Sequence, residues 1–113
     1  MKKNNSIIIA ELGGTNARLS VTEKGNSLSE SKQYLLSAFT SIEALFDKYF
    51  EEINQVVPKG IIGVAAPVID DEIRFTNNDI KFNHKTLKNK MFPEVVTLIP
   101  ITNFKERLLN KRN

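Results

Sequence analysis

Hydrophobic positions along this chain follow three different rhythms, and each predicts a different element. An unbroken, mostly β-branched run at residues 6–10 and an alternation of small or apolar with polar residues at 17–22 both predict strands, joined by a tight Gly13-Gly14 turn. Lys24-Gly25-Asn26-Ser27 reads as a second turn, and residues 32–36 as a third strand beside the second, so the first third of the chain is a β-meander. The period then changes. Apolar side chains at Ile42, Leu45, Phe46, Tyr49, Phe50 and Ile53 recur at offsets of 3, 4, 7, 8 and 11, the stripe of a helix with one buried side. Thr40-Ser41-Ile42-Glu43 fits a capping box, in which the Thr40 hydroxyl and the Glu43 carboxylate satisfy free N–H groups at the helix start. Pro58 and Gly60 are expected to break the helix.

The third rhythm is Ile61-Ile62-Gly63-Val64-Ala65, apolar without alternation, as in a strand covered on both faces of a parallel or mixed sheet and lying beside the first strand. Asp70-Asp71-Glu72 reads as a hairpin tip leading into a strand at 73–76, residues 83–90 as a short helix, and residues 95–99 as the last strand. Meander, helix, buried strand, helix and strand make an α/β domain with crossover connections: a mixed five-stranded sheet flanked by helices. No internal repeat or low-complexity segment interrupts it.

With 113 residues the chain has room for one domain and one modest core. Hydrophobic content of 41% and charged content of 26% are those of an ordinary globular protein, which excludes a disordered or fibrous chain. No apolar run is long enough to span a membrane, and the run after Lys2 and Lys3 is cut short by Glu11, too soon for a secretory signal. Zero cysteines exclude a disulfide framework, a thiolate metal site and a cysteine nucleophile, and a cytoplasmic location is expected. The net charge of +3 is carried by the ends: Lys2, Lys3, Lys105, Arg107, Lys111 and Arg112 hold six of 16 positive charges against Glu106 alone of 13 acids. The body between them is mildly acidic, so neither nucleic acid nor a membrane is an expected partner.

Chemistry concentrates in Ala10-Glu11-Leu12-Gly13-Gly14-Thr15-Asn16-Ala17-Arg18. Adjacent glycines between strands permit close approach and leave successive N–H groups free to face an anion. Thr15 adds a hydroxyl, Asn16 an amide, and Glu11 a carboxylate able to hold a water on a magnesium ion. Gly-Gly is equally what a tight hairpin requires, and the spacing is neither that of a P-loop nor that of a dinucleotide fingerprint, so the residues by themselves leave both readings open.

The longer string Gly13-Gly14-Thr15-Asn16-Ala17-Arg18 closely resembles the first phosphate motif of bacterial glucokinases, members of the actin, Hsp70 and hexokinase-like ATPase superfamily. The similarity continues through Gly60-Ile61-Ile62-Gly63-Val64-Ala65-Ala66-Pro67-Val68, like the family's buried strand and its Ala-x-Pro exit, and reaches Phe75-Thr76-Asn77-Asn78, like the Thr-Asn segment beside the sugar pocket. It covers residues 6 to about 100. The resemblance implies a ribonuclease-H-like (actin-like ATPase) fold, with this chain as the amino-terminal lobe of two, residues 1–104, followed by a divergent basic tail, residues 105–113. It further implies ATP and Mg2+ as cofactors, glucose or a related hexose as substrate, ATP-phosphate binding by residues 10–16, a water-mediated metal role for Glu11 and sugar contact by Asn77 and Asn103.

Two positions depart from the family pattern. Glu11 stands where the family has Asp. In Pro100-Ile101-Thr102-Asn103-Phe104, aligning the phenylalanine with the family's Asn-Asp-Phe segment puts Asn103 at the place of the catalytic Asp base, and an amide cannot take the proton. Residues 105–113 resemble a truncated or frame-shifted ending, and the family's second lobe has no counterpart, so the chain alone is expected to be inactive. Its partner would be a second lobe or another copy, and the alternative to a kinase lobe is a non-catalytic nucleotide- or partner-binding module. Elsewhere the plain readings stand: His84 as a surface residue, Asp70-Asp71-Glu72 as a solvated tip, and Phe46, Tyr49 and Phe50 as core. Asn77 is either a sugar contact or a turn former.

Overall fold

The computed structural model describes residues 6–23, 27–66, 68–75 and 80–100. Five strands form one mixed sheet in the order β3-β2-β1-β4-β8. β1 (Ser6–Leu12), β2 (Asn16–Glu23) and β3 (Leu28–Leu35) are the antiparallel meander, and β4 (Lys59–Val64) and β8 (Val95–Pro100) add in parallel on the far side of β1. Between β3 and β4 lies α1 (Ile42–Ile53), and between β4 and β8 come β5 (Val68–Ile69), β6 (Glu72–Arg74), β7 (Lys81–Asn83) and α2 (His84–Lys90). β5, β6 and β7 pair antiparallel as a second, three-stranded sheet. The sequence shows the tip of that sheet and the strand after it but neither β5 nor β7, because strands of two or three residues are too short to display a period.

One apolar cluster holds the domain together. Ile8, Ala10, Leu12, Ala17, Leu19, Ile62 and Val64 point to one face of the main sheet and share that cluster with Ile42, Leu45, Phe46, Tyr49 and Phe50 of α1. Phe92, just past α2, stacks edge-on against Phe46 with ring centroids 4.9 Å apart. It also explains Gly60, where an added Cβ would lie 3.1 Å from the Phe92 ring. Gly60 is therefore a packing residue inside β4 and does not break the helix. The break is made by Asn54, whose left-handed backbone (φ 58°) lets its N–H return to the Phe50 and Glu51 carbonyls.

The helix start also differs from the expectation. Ser41 is the cap, its Oγ accepting from the Ala44 N–H at 3.1 Å, which places Ala44 and not Glu43 at the position a reciprocal box requires. β3 begins at Leu28, earlier than its sequence suggests, because its residues are almost all exposed and its pairing is made by the backbone. Two tyrosines tie this edge strand to α1. The Tyr34 hydroxyl donates to the Glu52 carboxylate, and the Tyr49 hydroxyl donates to the Glu30 carbonyl at 2.8 Å. Desolvation, with the neighbouring Glu52 charge, pushes the Tyr34 phenol well above its ordinary range. Burial pushes Tyr49 up to about 12, and the Tyr34 hydrogen bond draws Glu52 down.

Candidate functional site

Strand alternation that sends Ala10, Leu12, Ala17 and Leu19 into the core sends their neighbours to the opposite face. The register there sets Gly63, Glu11, Arg18 and Gln33 side by side across β4, β1, β2 and β3. Together with Leu12, Gly13, Asn16 and Ala65 they line a cleft of about 230 Å³. Whole-ligand pockets run from roughly 300 to 1,000 Å³. The cleft is thus smaller than a site that encloses a whole ligand.

Its floor is low because Gly63 and Ala65 bring almost no side chain, and β4 is held at this end by an Ala65 N–H bond to the Leu12 carbonyl at 2.9 Å. Its walls are polar. Glu11 and Arg18 are direct cross-strand partners of opposite charge, yet among the described residues neither forms an ion pair. Arg18 is exposed and Glu11 half-buried. A guanidinium offers a planar fork of donors suited to phosphate oxygens, and the carboxylate beside it is suited to a hydrated hard cation.

The turn behaves differently from a bare amide cradle. The Gly13 N–H is spent on the Asn16 carbonyl at 2.9 Å, closing the β1–β2 hairpin, and the Thr15 carbonyl accepts from the Leu36 N–H at 2.9 Å. Gly13 therefore serves the hairpin and contributes no free donor. The groups left facing outward are the exposed side chains of Thr15 and Asn16. Of residues 10–16, Glu11, Leu12, Gly13 and Asn16 line the cleft; Thr15 and Gly14 stand at the turn outside that lining, and Ala10 is buried on the core face. Asn77 and Asn103 lie outside the described residues.

Sequence reasoning named Arg18, Gly63 and Ala65 only as members of matched motifs, with no site role of their own, and did not single out Gln33. For Arg18 a signal existed: in a strand that places Asn16 outward, residue 18 follows it on the same face. Gln33 had none, since only the β2–β3 register brings it alongside. His84 also differs from a lone surface residue. Its Nδ1 lies 3.9 Å from the Asp71 carboxylate and its Nε2 3.3 Å from the Val96 carbonyl. No group of three or more His, Cys, Asp or Glu among the described residues is arranged to hold a metal, and no described helix is long and apolar enough to cross a membrane.

A family model described as glucokinase matches residues 8–102, ending one residue before Asn103. The chain is 35% identical over 95 residues to a glucokinase of Colwellia psychrerythraea, a match covering 81% of this chain and 28% of that protein. With a glucokinase of Erwinia tasmaniensis it is 34% identical over 82 residues, covering 72% and 26%. It thus spans about a quarter of the length of these curated relatives. Among solved structures, glucokinase from an Antarctic psychrotroph matches with a TM-score of 0.79 at 18% identity, over 87% of this chain and 33% of that one. Glucokinase from Balamuthia mandrillaris in complex with glucose matches with a TM-score of 0.61 at 15% identity, over 85% and 29%. At those identities the structural likeness concerns the fold.

Proposed function

The chain belongs to the glucokinase family, and from that premise we propose that residues 1–104 are the nucleotide-side lobe of an ATP-dependent hexose kinase, with 105–113 a basic tail. The order β3-β2-β1-β4-β8, with only β2 antiparallel to its neighbours, supports reading the lobe as ribonuclease-H-like. The family reaction passes the γ-phosphoryl group of ATP to the 6-hydroxyl of glucose or a related hexose, releasing ADP and the hydroxyl proton. Such a protein works in the cytoplasm, where ATP is made and used.

The observation that carries the proposal is the juxtaposition of Glu11 and Arg18, unpaired with each other, in a cleft sized for phosphates. That donor set fits a magnesium nucleotide. Arg18, Thr15 and Asn16 are the groups to hold phosphate oxygens, and Glu11 to hold the metal through water, at the cost of one more methylene than the family's Asp. Magnesium, when bound, supplies neutralisation of phosphate charge. The base remains without a candidate among the described residues; Asn103 at that position would hydrogen-bond the sugar and accept no proton.

We therefore assign nucleotide contact to these residues and sugar activation to regions of the family outside the matched quarter. Titration of the purified 113-residue chain with Mg-ATP, followed by 15N-detected shifts, should move the Thr15, Asn16 and Arg18 signals first, with weak affinity. Unmoved signals at millimolar Mg-ATP would remove the nucleotide assignment, and vigorous glucose-dependent ADP formation by this chain alone would remove the dependence on a second lobe. In a form complemented with a relative's remaining lobe, Asn103→Asp should raise turnover if the register is right.

A further inference from the structure

The two-residue turn between β5 and β6 is an odd place for Asp70 and Asp71. Both have left-handed backbones, with φ of 53° and 69°, a conformation that glycine adopts without penalty. Asp tolerates it better than most residues, yet two in succession suggest that a carboxylate is needed there. The contacts of Asp71 show what for. Its carbonyl accepts from the His84 N–H at 2.7 Å, fixing the turn to the start of α2. One carboxylate oxygen lies 3.9 Å from His84 Nδ1, and the other lies 3.7 Å from Lys85 Nζ. On its far side the same imidazole meets the Val96 carbonyl of β8, 3.3 Å from Nε2.

The two ring nitrogens of His84 therefore face acceptors on two sides, the Asp71 carboxylate of the β5–β6 turn at ion-pair distance and the Val96 carbonyl of β8 at hydrogen-bond distance. A neutral imidazole carries a single N–H and can serve only one of them, whereas an imidazolium serves both. We propose that His84 is a proton-dependent latch fastening the three-stranded sheet to the edge of the five-stranded one. Charges of both signs surround it. From the β5–β6 turn Asp71 faces the ring, with Asp70 adjacent; Glu72 is engaged by Arg74 at 3.6 Å. From α2 comes Lys85, which shares Asp71 and cannot replace the ring's bond to β8. β7 carries Lys81, set across from Arg74 at the opposite end of the strand from His84, and β8 presents a backbone carbonyl.

The direction with pH follows from which form is held twice. The doubly protonated ring meets both the β5–β6 turn and β8, so fastening is gained as pH falls and lost as it rises. With His84 and Asp71 side chains 30% and 43% exposed, the effect is that of a partly screened pair, about threefold in the opening equilibrium. Amide-exchange protection factors, corrected for intrinsic rates, test this on the whole chain between about pH 5 and 8. We expect β6 and β7 amides to gain about threefold protection at the acid end while β1 and β4 amides stay level. In His84→Gln and in Asp71→Asn the acid gain should vanish. Equal protection across the range in the unaltered protein, or an undiminished acid gain in His84→Gln, would overturn the latch. Should His84→Gln fail to fold, the unaltered protein still decides. The His84 ring titration must be echoed, at the same midpoint, by the amide shifts of both Asp71 and Thr97, and an echo at only one of them refutes a bridge.

Discussion

The two faces of the main sheet are built from the same strands and differ by one residue of register. On one face Leu12, Ala17 and Leu19 are fully buried under α1; on the other, their chain neighbours Glu11, Arg18 and Gly13 line an open polar cleft. Strand alternation thus separates what stabilises the domain from what it presents to a ligand. The separation makes a strong claim: substitutions on the first face should be read in stability, and those on the second in binding.

The sharpest test of the core face is Phe46→Ala. Phe46 is fully buried and meets Phe92 edge-on, so the loss should be about 3–5 kcal/mol in urea unfolding, a large part of the 5–15 kcal/mol typical of a domain. A loss below about 1 kcal/mol would mean that α1 does not cover this face as described. Next in size is Gly60→Ala. The added methyl meets a buried ring that has little room to retreat, so overpacking should cost about 1–3 kcal/mol, and Phe92→Leu in the same chain should recover part of it.

Capping supplies a smaller, more local test. Ser41→Ala should cost about 1 kcal/mol and Thr40→Ala less than about 0.5 kcal/mol, the reverse of what the four-residue motif suggests. Sequence shows that a cap is present, since two hydroxyl residues precede the stripe, but which one serves depends on the backbone turn into the helix. The same division runs through the molecule. The helix and the strands β1, β2, β4 and β8 were legible because each buries an apolar face with its own period. β3 was legible only in its second half, and the three-stranded sheet only in its tip and the strand after it, because exposed edges and strands of two or three residues bury too little to leave a pattern. In the site, Glu11 and Asn16 were legible from the turn motif, whereas Gln33 depends on a cross-strand register that no local pattern encodes.

Tyr49→Phe tests the join between the edge strand and the helix, and it has a pH signature. Folding raises the Tyr49 phenol from 10.0 to about 12, so its contribution is fully present below the unfolded value near about 10 and is lost as pH rises toward the folded one. At neutral pH the variant should lose about 1 kcal/mol with the Glu30 bond. Between about pH 10 and 12 its stability should fall less steeply than that of the unaltered protein. Parallel alkaline curves would place the Tyr49 hydroxyl in solvent.

The smallest expected stability change carries the most functional weight. Arg18 is exposed, forms no ion pair among the described residues, and stands between the buried Ala17 and Leu19. Arg18→Gln should therefore leave the urea midpoint within about 0.5 kcal/mol. Glutamine keeps much of the aliphatic stem and a polar head while removing the charge, so what is lost belongs to the charge. If the cleft face serves phosphate, the Mg-ATP-dependent shifts of Thr15 and Asn16 should weaken about tenfold in affinity, the scale of one charge-assisted contact. A variant as stable as its parent that still binds as well would leave Glu11 facing an idle neighbour. The two faces would then differ only in burial, not in purpose.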